Sequence, residues 1–329
     1  MTSAAGGEPR PQPQRADLVL EGGGVKGIAL AAVAVTLARH GYTFPRVAGT
    51  SAGAIAGAVL AALQRAGEPL ERTEEIARSL PYARMRDRGP VRRSLGPLGR
   101  FADGLSLAVG GGMFEGRYLH DWLRGVLGDL GVTTFADLRE DDPGSALPPG
   151  HGYTLVVLAS DLSRRQLVRL PWDYPDYGLD PDEMGVADAV RSSASIPFLF
   201  EPVTMTGSGG VSTLVDGALL STYPVSIFDR SDGEAARWPT LGVRLTSLME
   251  GRAPVQPVSG PVSLALAVVE SALEACQSQH VSDPRTVARS LFVDTSGVAS
   301  TDFGITPDQQ ARLWEAGADA ARRHLEEHL

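Results

Sequence analysis

The chain has 329 residues, 43% of them hydrophobic and 21% charged, and 30 basic against 39 acidic side chains leave a formal charge of −9. That balance excludes a general nucleic-acid binder, which needs a basic face. The single cysteine, Cys276, excludes a disulfide framework and a Cys-rich zinc site.

Residues 1–16 are rich in Pro, Gln and Gly and lack the apolar stretch of a signal peptide. They read as a disordered arm, followed by one α/β domain over residues 17–329. Asp17–Leu20 is a short apolar strand, followed by a glycine loop and a helix over 25–40. A second strand, 46–50, runs into an Ala-rich helix over 52–65, which is too weakly apolar to span a membrane and reads as a core helix. An amphipathic helix covers 70–80. Residues 81–113 are loop-rich and carry six arginines (84, 86, 88, 92, 93 and 100) against Asp87 and Asp103, a local charge of +4. This segment is either a candidate lid for an anionic surface, where each basic residue contributes about 1 kcal/mol, or an Arg-rich surface loop. Helix resumes over 114–128. Residues 153–159 form a continuous apolar run typical of a buried strand, with 167–170 pairing back onto it. The helix over 186–195 stops before Pro197, because the residue preceding proline avoids the helical region. Strands follow near 202–205, 213–215 and 241–245. A helix over 261–280 has proline in its first turn, 291–294 is a late strand, and Thr306 caps a closing helix that reaches residue 329. This alternation predicts a mostly parallel central sheet flanked by helices on both faces.

Two loops carry chemistry. Glu21-Gly22-Gly23-Gly24-Val25-Lys26-Gly27 joins a strand to a helix, and Gly22, Gly24 and Gly27 satisfy the dinucleotide pattern G-x-G-x-x-G. No Asp or Glu lies between Ile28 and Gly67 to hold a ribose, and no Ser or Thr follows Lys26 as a phosphate loop requires. What remains is a run of amides free to turn outward at a helix N-terminus, a site for a phosphate or for the oxyanion of acyl transfer. A tight turn without a ligand is the alternative. Lys26 is the only lysine in the chain.

Gly49-Thr50-Ser51-Ala52-Gly53 is G-x-S-x-G at a strand-to-helix turn, the setting of a nucleophilic serine. Ser51 could equally be a helix cap. His120, His151, His280, His324 and His328 follow the elbow, none in a loop setting suited to a catalytic imidazole. Asp216, in Val215-Asp216-Gly217-Ala218, ends an apolar run beside a glycine, which suits either a base for serine or a turn aspartate.

Together with Ser192-Ser193-Ala194-Ser195-Ile196-Pro197, these blocks resemble the patatin-like phospholipases, over about residues 17–224. The resemblance implies a three-layer α/β sandwich and a Ser-Asp dyad, with Ser51 as nucleophile and Asp216 as base. It implies an oxyanion hole at Gly22, Gly23, Gly24 and Val25, and an anion contact at Lys26, where the family carries a basic residue. Glu21 stands where Asp is common and Ala218 where Gly is common. The activity so implied is that of a serine lipid acyl hydrolase, a phospholipase A or lipid esterase forming an acyl-enzyme. It needs no cofactor or metal, and the expected location is the cytoplasm with peripheral membrane contact. A Ser-His-Asp carboxylesterase and a nucleotide- or phosphate-binding regulatory module are the rival readings.

Overall fold

The computed structural model describes residues 14–80, 82–85, 112–140, 142, 144, 147–230, 232–246, 258, 264, 267–269, 271–272 and 283–328. Its centre is an eight-stranded sheet of β1 (Asp17–Leu20), β2 (Val47–Thr50), β3 (Leu155–Asp161), β4 (Gln166–Leu170), β5 (Val203–Gly207), β6 (Gly210–Asp216), β7 (Thr240–Thr246) and β8 (Ser290–Asp294). The order is β8-β7-β1-β2-β3-β6-β5, with β4 also paired to β3. The first five strands in that order are parallel, and β4, β5 and β6 complete the sheet in antiparallel pairings. Every residue of β1, β2 and β3 is buried, which explains their near-continuous apolar sequences.

Helices α1 (Gly27–Arg39), α2 (Ala52–Ala66), α3 (Arg72–Ser79), α4 (Arg117–Asp129), α5 (Val186–Ser193) and α6 (Pro307–His328) flank the sheet. Small residues set how closely they approach. A Cβ at Gly317 of α6 would stand 2.2 Å from the Ala29 carbonyl of α1. The start of α6 is a reciprocal cap, the Gln309 amide donating to Thr306 Oγ1 at 3.2 Å and the Thr306 amide to Gln309 Oε1 at 2.8 Å. On the sheet face opposite the side chains of Leu241 and Val243, the Tyr223 ring lies where a Cβ at Gly242 would be. No helix among the described residues is long and apolar enough to cross a membrane.

Two expectations are refined. Gln14 and Arg15 pair with Tyr42 and Thr43, and Ala16 is buried, so residues 14–16 of the stretch read as an arm belong to the fold. The helix expected from 114 begins at Arg117, because residues 112–114 pair with 198–200 and Gly116 turns the chain at φ +68°. The candidate lid falls outside the described residues except at 82–85 and 112–113. The expected helix over 261–280 is described at 264, 267–269 and 271–272, all helical.

The register of β3 positions the site. Residues 159–161 of β3 pair with β4 on one edge and β6 on the other, while residues 157–158 pair with β4 and β2. β2 and β6 therefore share one edge of β3, end to end. Thr50 stands opposite Leu158 and Asp216 opposite Ala159, so the residue after Thr50 must meet the end of β6.

Candidate active site

Ser51 sits at that junction with φ +53° and ψ −115°, a left-handed φ that a side chain-bearing residue rarely adopts. Such a conformation costs about 1–3 kcal/mol and persists only where its surroundings hold it. Its neighbours leave little choice. A Cβ at Gly49 would lie 2.3 Å from the Gly53 carbonyl, and one at Gly53 would lie 2.3 Å from the Leu20 carbonyl and 2.7 Å from that of Glu21. Strand, elbow and glycine loop thus touch through bare backbone. The Ser51 amide donates to Ser193 Oγ at 2.8 Å, and the Ser193 hydroxyl donates to the Leu158 carbonyl at 2.5 Å. Ser193 so ties the strained elbow to β3.

The Ser51 hydroxyl donates to Asp216 Oδ2 at 2.6 Å. The other carboxylate oxygen accepts the Ala218 amide at 2.9 Å, and the Asp216 amide donates to the Ser195 carbonyl at 2.9 Å. Gly217 is required because a Cβ there would meet the Leu158 carbonyl at 2.2 Å. Burial raises the Asp216 carboxyl to about 7, against the pull of the Ser51 hydroxyl and the Ala218 amide, which favour the anion. Two of the later histidines are engaged elsewhere. His120 Nε2 lies 2.9 Å from Asp188, and His151 stacks on Trp172 at 4.6 Å. His280 lies outside the described residues.

In the glycine loop the expected donor set of four amides narrows to two. The Gly22 amide donates to the Thr222 carbonyl and the Val25 amide to that of Ser300, each at 3.0 Å. Among the described residues the amides of Gly23 and Gly24 have no acceptor. Gly24 has φ +57°, and a Cβ on it would lie 2.0 Å from the Ser300 carbonyl. A Cβ on Gly23 would meet Leu245 Cδ1 at 2.2 Å. Leu245 is held in turn, its amide donating to Glu21 Oε2 at 2.6 Å. Glu21 is fully buried with Arg244 3.6 Å away, yet burial outweighs that pairing and raises its carboxyl to about 7. Lys26 is half-buried at the end of the loop, where its charge lowers the Glu21 value.

A cavity of about 670 Å³, its mouth included, opens in front of Ser51. Its walls come from α1 (Ile28, Ala31), α2 (Ile55, Val59) and α3 (Ile76), together with Gly24 and Phe303. The combination is a serine hydroxyl bonded to a buried carboxylate, two unengaged amides, and an apolar slot that suits an acyl chain.

The sequence marks Ser51, Asp216 and the loop glycines, but not the acceptors that engage Gly22 and Val25 or the part played by Ser193. Thr222 and Ser300 lie far along the chain in no motif. Ser193 belongs to a noted block whose spacing says nothing of its partner.

The sequence profile described as Patatin-like phospholipase matches residues 18–229. The uncharacterized protein YqhO of Bacillus subtilis is 33% identical over 301 residues, spanning 92% of this chain and 94% of that protein. An uncharacterized NTE family protein of Mycobacterium tuberculosis is 30% identical over 218 residues, spanning 66% of this chain and 29% of that protein. The crystal structure of VipD from Legionella pneumophila is similar in fold, with a TM-score of 0.50 at 16% identity, over 97% of this chain and 67% of that one.

Proposed function

The chain belongs to the patatin-like phospholipase family and is a lipid acyl hydrolase, and on that premise we propose that it cleaves phospholipid acyl esters through a Ser51–Asp216 dyad. The observation that carries this reading is the 2.6 Å bond from the Ser51 hydroxyl to Asp216. Asp216 accepts the proton as Ser51 Oγ attacks the ester carbonyl, and the carbonyl oxygen gains its charge facing the Gly23 and Gly24 amides. The tetrahedral intermediate collapses, Asp216 returns the proton to the departing alcohol, and the acyl chain stays on Ser51 in the cavity. Water then enters, gives its proton to Asp216, and releases the fatty acid by the reverse steps. A base with a pKa near 7 suits both directions of transfer at neutral pH. Lys26, beside the loop, supplies positive charge for a lipid phosphate.

The test is hydrolysis of a mixed phospholipid extract with products read by mass spectrometry. Ser51→Ala and Asp216→Ala each lower kcat by about 10³-fold or more, and a fluorophosphonate labels Ser51 in the parent chain. A histidine substitution as damaging as Asp216→Ala overturns the dyad, and failure to label Ser51 overturns the nucleophile. Lys26→Arg retains phospholipid activity that Lys26→Ala loses.

A further inference from the structure

Glu21 stands where β1 leaves the sheet. Its amide donates to the Val243 carbonyl of β7 at 3.2 Å, which carries the parallel ladder of β1 and β7 one step further. In a regular parallel ladder the carbonyl of the same residue would accept the amide of Leu245. Here the Leu245 amide donates to the Glu21 side chain instead, to Oε2 at 2.6 Å. The Glu21 carbonyl is turned toward α2, where a Cβ at Gly53 would lie 2.7 Å from it. The carboxyl group has taken the place of the backbone acceptor, so the chain leaves β7 without stranding a buried amide.

This is a costly way to fill the space. Glu21 is 0% exposed, its Oε1 has no hydrogen-bond partner among the described residues, and Arg244 stands 3.6 Å away. What the carboxyl supplies, and an apolar side chain would not, is an acceptor for Leu245. Leu245 in turn seats the glycine loop, because its Cδ1 lies 2.2 Å from where a Cβ on Gly23 would be. The Gly23 carbonyl accepts the Lys26 amide within the loop itself, at 3.2 Å. Its closest contact outside the loop, on the side where a side chain would stand, is Leu245.

We infer that Glu21 is a positioning residue for acyl transfer: by holding Leu245 it places the Gly23 amide, and with it the Gly24 amide, where the oxyanion forms. The inference rests on the acyl-hydrolase reading and deepens it. Neither Glu21 nor Leu245 is among the residues lining the cavity, so their effect falls on the reacting carbonyl and not on the acyl chain. Misplacing a reacting group by about 1 Å costs on the order of a hundredfold in rate, and losing one oxyanion donor costs about 10²–10³-fold.

The experiment uses the full 329-residue chain and compares Glu21→Gln with Glu21→Leu. Both remove the charge beside Arg244, and only glutamine offers an oxygen to the Leu245 amide. On a soluble ester, Glu21→Leu is expected to lower kcat about tenfold to a hundredfold with KM within about twofold, while Glu21→Gln stays within about threefold of the parent rate. The second readout is an alkyl trifluoromethyl ketone. Ser51 Oγ adds to its carbonyl carbon, the proton passing to Asp216 and the charge to the former carbonyl oxygen. Its affinity should fall by the same factor as kcat, and a plain fatty acid should bind all three chains alike. Leu245→Ala removes the seat, spares the bond to Glu21 and should show the same split, and it serves where Glu21→Leu does not fold. Equal losses in Glu21→Gln and Glu21→Leu overturn the inference, as does a full rate in Glu21→Leu or Leu245→Ala, or a loss carried by KM. Hydrogen exchange without substrate is measured in parallel. The amides of residues 22, 25 and 245 should exchange faster in Glu21→Leu than in the parent or Glu21→Gln. That pattern in a chain that cleaves no ester and never reacts with the ketone overturns the hydrolase reading and leaves Glu21 as the residue that holds the loop. Uniform exchange in all three chains overturns the inference.

Discussion

At the residue scale the site turns on a carboxyl group kept in an unfavourable place. Asp216 is 1% exposed, and no cation among the described residues features among the causes of its shift, so burial lifts it from 3.8 to about 7. The proposed mechanism needs the ionised form, so kcat/KM on a soluble ester should rise with pH and level off above about 7. A profile that is flat through that value would show that Asp216 is not the base. Stability runs the other way. A carboxyl whose folded value lies above its unfolded one contributes stability that is complete below the unfolded value and is lost as pH climbs through the folded one. Asp216→Asn removes the anion, keeps the shape, and should therefore stabilise the chain above pH 7 by a few kcal/mol, with the gain fading as pH approaches 4. Urea unfolding at both ends of that window measures it, and an equal gain at both would point to a cause other than ionisation.

At the element scale, α5 acts on the elbow through one side chain. Ser193 accepts the Ser51 amide and donates to Leu158, so Ser193→Ala frees a strained backbone to relax. The expected loss is about tenfold or more in kcat with KM little changed, because the nucleophile is displaced while the cavity is intact. Ser193→Thr keeps the hydroxyl and should recover most of the rate; a fall in KM-dependent binding instead would place Ser193 in the substrate site. In α3, Thr73→Val should raise stability by about 1 kcal/mol or more, since the orphan hydroxyl goes and the packing volume remains. These elements also show what the sequence makes readable. The helix expected over 52–65 is observed at Ala52–Ala66, because its ends carry local signals, the serine elbow and Gly67 in the left-handed region. The helix expected from 114 starts at Arg117 for a reason that is not local. The space beside Gly116 is filled by the guanidinium of Arg191, 75 residues away. The glycine loop is the same case, since its pattern shows amides at a helix start while the carbonyls of Thr222 and Ser300 decide which remain unengaged.

At the scale of the whole molecule, the sheet order converts two motifs 165 residues apart into one hydrogen bond, and it does so at a cost that depends on pH. β2 and β6 abut along β3, which puts Asp216 in the interior, and β1 delivers Glu21 to the same end of the sheet. Both carboxyls sit near 7, against unfolded values of 3.8 and 4.5. Between those limits the folded chain holds up to two protons that the unfolded chain releases, so stability falls with rising pH by as much as about 2.7 kcal/mol per unit. Other carboxyls act in the opposite sense. Asp142 and Asp182 are held low chiefly by Arg237 and Arg139, and Asp161 by backbone amides and the Tyr177 hydroxyl acting against burial. The stability these three contribute disappears only in more acid solution, below the ordinary carboxylate range. The two groups of carboxyls therefore bracket a stability maximum on the acid side of neutrality, whereas the activity proposed to depend on ionised Asp216 is still rising there. The enzyme should work best on the descending limb of its own stability curve. Urea midpoints measured across pH, set beside kcat/KM under the same conditions, test this directly, and a stability maximum at or above pH 7 would contradict it. Glu21→Gln combined with Asp216→Asn should make the descending limb shallower, with buried Asp17, also raised, still contributing to it, while leaving the acid limb in place.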